Sequence, residues 1–496
     1  MSVTFDDTNR QAIPRCLDYS TACALRLLRI ARERGINIKS KYQISRAINK
    51  WQENPNIYTA TDLLAEALIL KDFESKYAIE AADYILNKSK TTNTIIKELA
   101  SHFLEQPELQ NIQSSQIGDP QIIYPLIAEL KKTVRFYGRN SIAWCDMALY
   151  YAKLAQIDKA RKAIQIALNL APDNRFILRS ASGCFNHLGE PDRAVSILRR
   201  SPLHLLDPWI TSADIAISES AGLSVKSLSK AKDLVKDDNL TQFSRSELAV
   251  SIGTKEMRSG AGRRAKVFMR QGIIDPTENA LAQAEWMAKR LGTNINNFVR
   301  LEKKVPASFE ANARHFYYLE KFEESLDSAE HWCTYQPISS APYIFSSYVA
   351  SLCLGDDMES VRILETALQL NRTNPTFMNN YICSLAKTGN IEAAIENFRT
   401  LNLSNLTNDE RFTFLATQGL IYFRTNNPEK GRELYLKAMG GFERINEQRS
   451  AAIAAYYWAL EEKLILSSYK EARIKDAISR VKHYNVFELD SLIKKL

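Results

Sequence analysis

The stretch WCDMALYYAKLAQIDKARKAIQIALNLAP, residues 144–172, decides the fold. Apolar or small side chains stand at Trp144, Met147, Ala148 and Tyr151, then again at Ala160, Ile164 and Ala167. Steps of three and four place each set on one face of a helix, so the spacing predicts two amphipathic helices. Pro172 cannot continue the second one. A small residue such as Ala160 where the helices cross lets their backbones approach, while larger knobs fill the grooves beside it.

The same frame returns as Leu178, Ser182, Phe185, Ala194 and Leu198, then as Phe309, Ala313, Phe316, Ser325, Ala329 and Pro337. It comes back as Ile344, Tyr348, Ser360, Leu364 and Ala367, then as Met378, Leu385, Ala394 and Phe398. A last clear copy reads Leu415, Gly419, Tyr422, Gly431, Tyr435 and Ala438. From Ala160 to Ala194 is 34 residues, from Ser325 to Ser360 is 35, and from Ser360 to Ala394 is 34. The 71 residues from Ala194 to Ala265 leave room for two units, and the 60 from Ala265 to Ser325 for two shortened ones. Between helices stand Leu188-Gly189-Glu190-Pro191, Leu354-Gly355-Asp356-Asp357 and Thr388-Gly389-Asn390. Each offers a glycine for the left-handed turn that ends a helix.

This pattern resembles the tetratricopeptide repeat, a helix–turn–helix unit of roughly 34 residues written W-x2-L-G-x2-Y, then A-x3-F, then P. The resemblance implies an all-α fold, a right-handed superhelical solenoid of antiparallel helix pairs. About nine pairs are expected over 141–445, because each pair leaves a face that only a neighbour can bury. Residues 1–105 read as a helical region with a degenerate helix pair over 58–88, in which Leu63, Leu64, Ala67 and Leu68 face Ala78, Ala81, Ala82 and Ile85. The polar stretch 106–121 reads as a linker, 122–445 as the solenoid and 446–496 as capping helices.

Composition agrees. Glycine (17) and proline (15) are too few among 496 residues for a turn-rich β fold. The seven cysteines are dispersed and never form CxxC, which points to reduced thiols in the cytoplasm and away from a disulfide scaffold. The start of the chain carries Asp6 and Asp7 and no apolar h-region, so no signal peptide is expected. The longest apolar run, 451–460, falls short of the about 20 residues a membrane span needs.

The net charge of +8 is concentrated. Between Arg10 and Lys50 stand ten Lys/Arg and two acids. Such a block suits nucleic acid, an acidic partner or a membrane surface, or else a solvated helix face. Its candidate patch is Arg26, Arg29, Arg32 and Arg34, with a second cluster at Arg263 and Arg264.

Signs of catalysis are weak. Ser259-Gly-Ala-Gly-Arg-Arg264 lacks the Walker ending and falls on a repeat turn. His331 and Cys333 lie two apart on a helix and point to different faces, so they do not make a zinc site. No enzyme activity, cofactor or metal is expected. The resemblance instead places partner-binding residues on the inner face of each first helix: Arg179, Asn186, His187, Arg314, Tyr317, Tyr318, Phe345, Asn379, Asn380, Lys387, Phe423 and Arg424. Arginine beside aromatics is the composition of interface hot spots. A clamp for chaperone C-terminal tails is not expected, because Phe345 and Val349 stand where that clamp needs polar groups. The sequence thus reads as a scaffold or adaptor holding a protein or peptide in a concave groove, with nucleic-acid binding through the basic block as the second reading.

Overall fold

The computed structural model describes residues 10–23, 41–70, 75–89, 94–104, 118–226, 228–401, 406–490 and 492–496. The described residues form helices and turns and no β-strand. The chain divides into a larger unit, Met1–Leu17 with Gln113–Phe298 and Ser308–Leu496, and a smaller one, Asp18–Ile112 with Val299–Ala307.

In the larger unit, Ser141–Lys153 pairs with Ile157–Leu170 and Arg175–His187 with Pro191–Arg200. Helix pairs then follow one another through Pro428–Arg444, and Gln448–Leu464 with Lys470–His483 adds one more. The short interval between Ala265 and Ser325 has a structural cause. After the first helix Glu278–Arg290 the chain gives only the seven-residue helix Phe298–Lys304, and Val299–Ala307 groups with the smaller unit.

The small residues that set the register are buried as the crossing argument requires. Ala160, Ala194, Ala265, Ser325, Ser360 and Ala394 are all fully buried. At the Gly431 crossing there is no room for more, since a Cβ there would lie 2.5 Å from the Phe423 ring and 3.0 Å from the Gly419 carbonyl oxygen. The turns also repeat. Gly189, Gly355 and Gly389 adopt φ of 77°, 74° and 87°; after Gly189 and Gly389 the next amide reaches back five residues, as Glu190 N–H does to the Phe185 carbonyl at 2.8 Å, and after Gly355 it reaches back six, to Ala350. Ala155 and Glu320 occupy the same turn position with φ of 53° and 60°.

The polar stretch expected as a linker lies outside the described residues as far as 117. Its end belongs to a helix, for the Asp119 side chain caps Pro120–Phe136 by accepting from Gln121 N–H at 2.8 Å. The smaller unit packs Lys41–Glu53, Ile57–Leu70, Lys76–Asp83 and Thr94–Leu104 around Trp51, Leu63, Leu64, Ala78, Ala82 and Phe103. The expected pairing of Leu63, Leu64 and Ala67 with Ala78, Ala81, Ala82 and Ile85 is present, while the Leu68 side chain lies outside the described set. No described helix is long and apolar enough to cross a membrane.

Candidate partner-binding groove

The first helices of the larger unit carry the inner-face residues. There the chain itself supplies a ligand. Residues 10–17 have no helix or strand structure, and they lie against Arg175–His187, Glu278–Arg290 and Phe309–Tyr318. Arg10 fits its guanidinium to Glu310, donating from Nε at 2.7 Å and from the terminal nitrogen at 2.9 Å. The same end donates to Asn279 Oδ1 at 3.1 Å, and Arg10 also contacts the Gln283 side-chain oxygen. A two-pronged arginine–carboxylate pair of this kind is directional as well as strong.

The backbone of the segment is held too. Gln283 Nε2 donates to the Arg10 carbonyl at 3.0 Å, and Asn279 Nδ2 donates to the Ile13 carbonyl at 3.1 Å. Arg15 donates to Glu310 Oε2 at 2.9 Å, with Glu278 4.0 Å away. Further along, Cys16 Sγ donates to the Ser180 carbonyl at 3.8 Å. Gly183 makes the room: a Cβ on it would sit 2.7 Å from the Pro14 carbonyl oxygen and 2.8 Å from Cys16 Sγ.

Burial works against the Glu310 charge, yet Arg10, Arg15 and Arg314 outweigh it and hold the carboxyl well below the usual carboxylate range. Burial pushes Glu278 up, against the pull of Arg15. Burial, with Arg15 as second cause, pushes His187 down from 6.5 to about 4, so this imidazole is neutral at pH 7.

The inner-face candidates sort into three groups. Arg314, Tyr317, Phe345, Asn379, Asn380 and Phe423 are buried, which corrects the expectation that they project from an open groove. Arg314 donates to Glu310 at 3.0 Å beneath the N-terminal segment. Tyr317 contacts Glu488, a fully buried carboxylate brought in by a short turn at Phe487–Leu489 that also meets Tyr348 and Arg449. Phe487 lies edge-on to Tyr317 at 5.2 Å. For Arg314 and Tyr317 the physical reason is that segments more than a hundred residues away along the chain cover them, and a repeat frame contains no information about those segments. Asn379 accepts from Thr417 at 2.7 Å and donates to Asn380 at 3.2 Å, while Phe345 and Phe423 belong to the core.

The second group is half-buried and engaged. Arg179 donates to Glu247 at 2.8 Å and lies over Trp209, Lys387 pairs with Asp357 at 2.7 Å, and Arg424 pairs with Glu461 at 2.7 Å. Tyr318 lies under the Lys289 ammonium. The third group, Asn186 and His187, is half-buried at the end of Arg175–His187, where the Arg15 charge acts on the His187 imidazole. Of the basic patches, Arg263 is exposed and Arg264 pairs with Glu256 at 2.8 Å, whereas Arg26, Arg29, Arg32 and Arg34 lie outside the described residues. A depression of about 910 Å³ between Glu365 and Leu406 is lined by none of these candidates. Among the described residues no three His, Cys, Asp or Glu are grouped to hold a metal ion.

The residues that build this site were not singled out by the sequence reading. Asn279, Gln283 and Glu310 are polar side chains on faces of first helices that end up buried, with Glu278 half-buried beside them, and that mismatch was the available signal.

The family model described as tetratricopeptide repeat matches residues 142–174. Those residues carry a tetratricopeptide repeat. Among solved structures it is similar to the human IFIT1 dimer with m7Gppp-AAAA, at 13% identity and a TM-score of 0.37, over 77% of this chain and 96% of that one. It is also similar to the APC/C hetero-tetramer Cut9-Hcn1, at 11% identity and 0.37, over 97% and 96%. Yeast Tom70 is similar at 12% identity and 0.31, over 88% and 98%. No curated protein matches the sequence.

Proposed function

We infer that this tetratricopeptide repeat chain is a non-enzymatic scaffold or adaptor that holds a partner protein or peptide on the face of its first helices. One observation carries the reading. That face already grips eight residues of non-helical chain, through two side-chain amides on backbone carbonyls and a carboxylate on two arginines. Backbone capture plus one or two charged anchors is how a surface recognises a peptide.

The thiols fit a structural role in the cytoplasm. All seven cysteines are free, and burial raises Cys184 and Cys333 to about 12, far from a reactive thiolate. The nucleic-acid reading loses two cations, because Arg10 and Arg15 are spent on Glu310 and not offered to phosphate.

Cross-linking mass spectrometry on the captured complex tests the proposal. Cross-links from the partner should concentrate on Arg175–His187, Glu278–Arg290 and Phe309–Tyr318. Partner cross-links confined to second helices, such as Ile157–Leu170 and Asp357–Leu370, would overturn it.

A further inference from the structure

We propose that the face built by Glu278, Asn279, Gln283 and Glu310 is a receptor for a short basic peptide with two arginines five residues apart, and that residues 10–17 are its intramolecular stand-in. The proposal rests on the scaffold reading above and names the chemistry of its partner.

Three features of the contact lead here. First, recognition is by side chains. The two carbonyls that are gripped belong to Arg10 and Ile13, and any sequence offers carbonyls there. Sequence selectivity comes from Glu310, which takes both Arg10 and Arg15, with Arg314 fixing the carboxylate from below at 3.0 Å. Arg314 lies on the same helix one turn away and pairs with Glu310 from within that helix, a contact that does not involve the segment. The site is therefore organised in advance, which lowers the cost of binding.

Second, the fit of the present occupant is incomplete. Gln11 is only 7% exposed, and among the described residues neither atom of its side-chain amide has a hydrogen-bond partner. A buried polar group without partners loses its hydration and gains nothing in return. An element selected only to complete the core would not carry an amide there. An apolar side chain at that position would fit better, so a partner segment with Leu or Met in place of Gln11 out-competes the chain's own.

Third, the occupant is tethered. It enjoys an effective concentration in the millimolar range and excludes weak ligands. A partner thus succeeds only if it has the complementary pattern, Arg, apolar, two residues, Pro, Arg. Gly183 lets the segment's backbone approach at Pro14, since a Cβ there would lie 2.7 Å from the Pro14 carbonyl oxygen.

The experiment uses the full chain with Arg10→Ala and Arg15→Ala, and a fluorescein-labelled synthetic peptide of residues 10–17. Fluorescence anisotropy should show the peptide binding this variant at least tenfold more tightly than wild type. Adding Glu310→Gln should weaken it tenfold or more, and a peptide with Gln11→Leu should bind more tightly than the native one. A variant with wild-type helicity and melting temperature that never saturates with peptide overturns the proposal. Concentration-dependent dimerisation of the wild-type chain, with the segment exchanged between copies, overturns it in favour of a second copy as occupant.

Should the arginine variant unfold, hydrogen exchange on wild type decides. Amides of residues 10–17 should exchange at least a hundredfold faster than those of Glu278–Arg290, as for a ligand that leaves without global unfolding. Equal rates would make the segment a folding element and sink the idea. Failure of the peptide with partner cross-links still on the first helices removes this inference alone. Cross-links elsewhere remove the scaffold reading itself.

Discussion

The Arg15 charge acts on the His187 imidazole, and the chemistry of His187 gives the protein a pH signature. Its pKa is depressed from 6.5 to about 4 by burial first and by Arg15 second. The unfolded chain takes up a proton near 6.5 while the folded chain stays neutral, so stability is complete above that pH and is lost as pH falls towards 4. Each pKa unit is worth about 1.4 kcal/mol, so the loss between pH 7 and pH 5 amounts to about 2 kcal/mol. Urea titrations at both pH values should show that slope in wild type and a flatter one in His187→Asn. An equal slope in the two proteins would remove His187 from the account. Glu310 behaves in the same sense but lower, because its own depression keeps the Arg10 contact charged throughout this window. Backbone strain gives a second residue-scale prediction. Glu320 is exposed at φ 60°, in the turn position that Gly189 and Gly355 fill elsewhere. Left-handed backbone costs a side chain roughly 1–2 kcal/mol, part of which glycine returns through its unfolded-state entropy. Glu320→Gly should therefore raise stability by ~0.5–1 kcal/mol, read as a higher urea midpoint with unchanged slope.

Helix pairs obey the crossing rule closely enough to predict their failure. At Gly431 a Cβ would meet the Phe423 ring at 2.5 Å and the Gly419 carbonyl at 3.0 Å. Gly431→Val should cost about 1–3 kcal/mol through overpacking, by chemical denaturation. A neutral result would mean that the last pairs are packed more loosely than the structure shows. The turn at Phe487–Leu489 is a small element that brings a carboxylate into the interior. Glu488 is fully buried against Tyr317, Tyr348 and Arg449. Removing one member of a buried pair strands the other, so Glu488→Ala should cost about 3 kcal/mol, whereas Tyr317→Phe should cost only about 1 kcal/mol. Comparable losses from the two changes would contradict the assignment of Glu488 as the centre. At this scale the sequence was most legible. Ala160, Ala194, Ser325, Ser360 and Ala394 gave the register because helix crossings demand small residues at a fixed interval. What covers Arg314 and Tyr317 was not legible, because the covering groups at Arg10 and Glu488 follow no period. Arg10 and Arg15 were visible as charge, and a count of charges does not say whether a carboxylate waits for them 300 residues on.

For the molecule as a whole, two units imply two cooperative transitions. The smaller unit has its own core around Trp51, whereas Trp286, Trp332 and Trp458 are buried in the larger one. Urea unfolding followed by tryptophan fluorescence and by far-UV circular dichroism should give transitions that do not superimpose, and Trp51→Phe should delete one fluorescence phase. Coincident curves for both proteins would show a single cooperative system. The far-UV spectrum itself should be helical throughout, in keeping with a fold whose described residues include no strand.

The contact between Arg10 and Glu310 also sets an order on biosynthesis. A ribosome adds roughly 5–20 residues per second, so the 300 residues separating the two take on the order of 15–60 seconds to appear. During that interval the arginines have emerged and their carboxylate has not been made. Any acidic surface in the nascent chain's surroundings can claim them first. The segment is thus made long before the helix that receives it, and the contact closes only after Phe309–Tyr318 has been synthesised and folded.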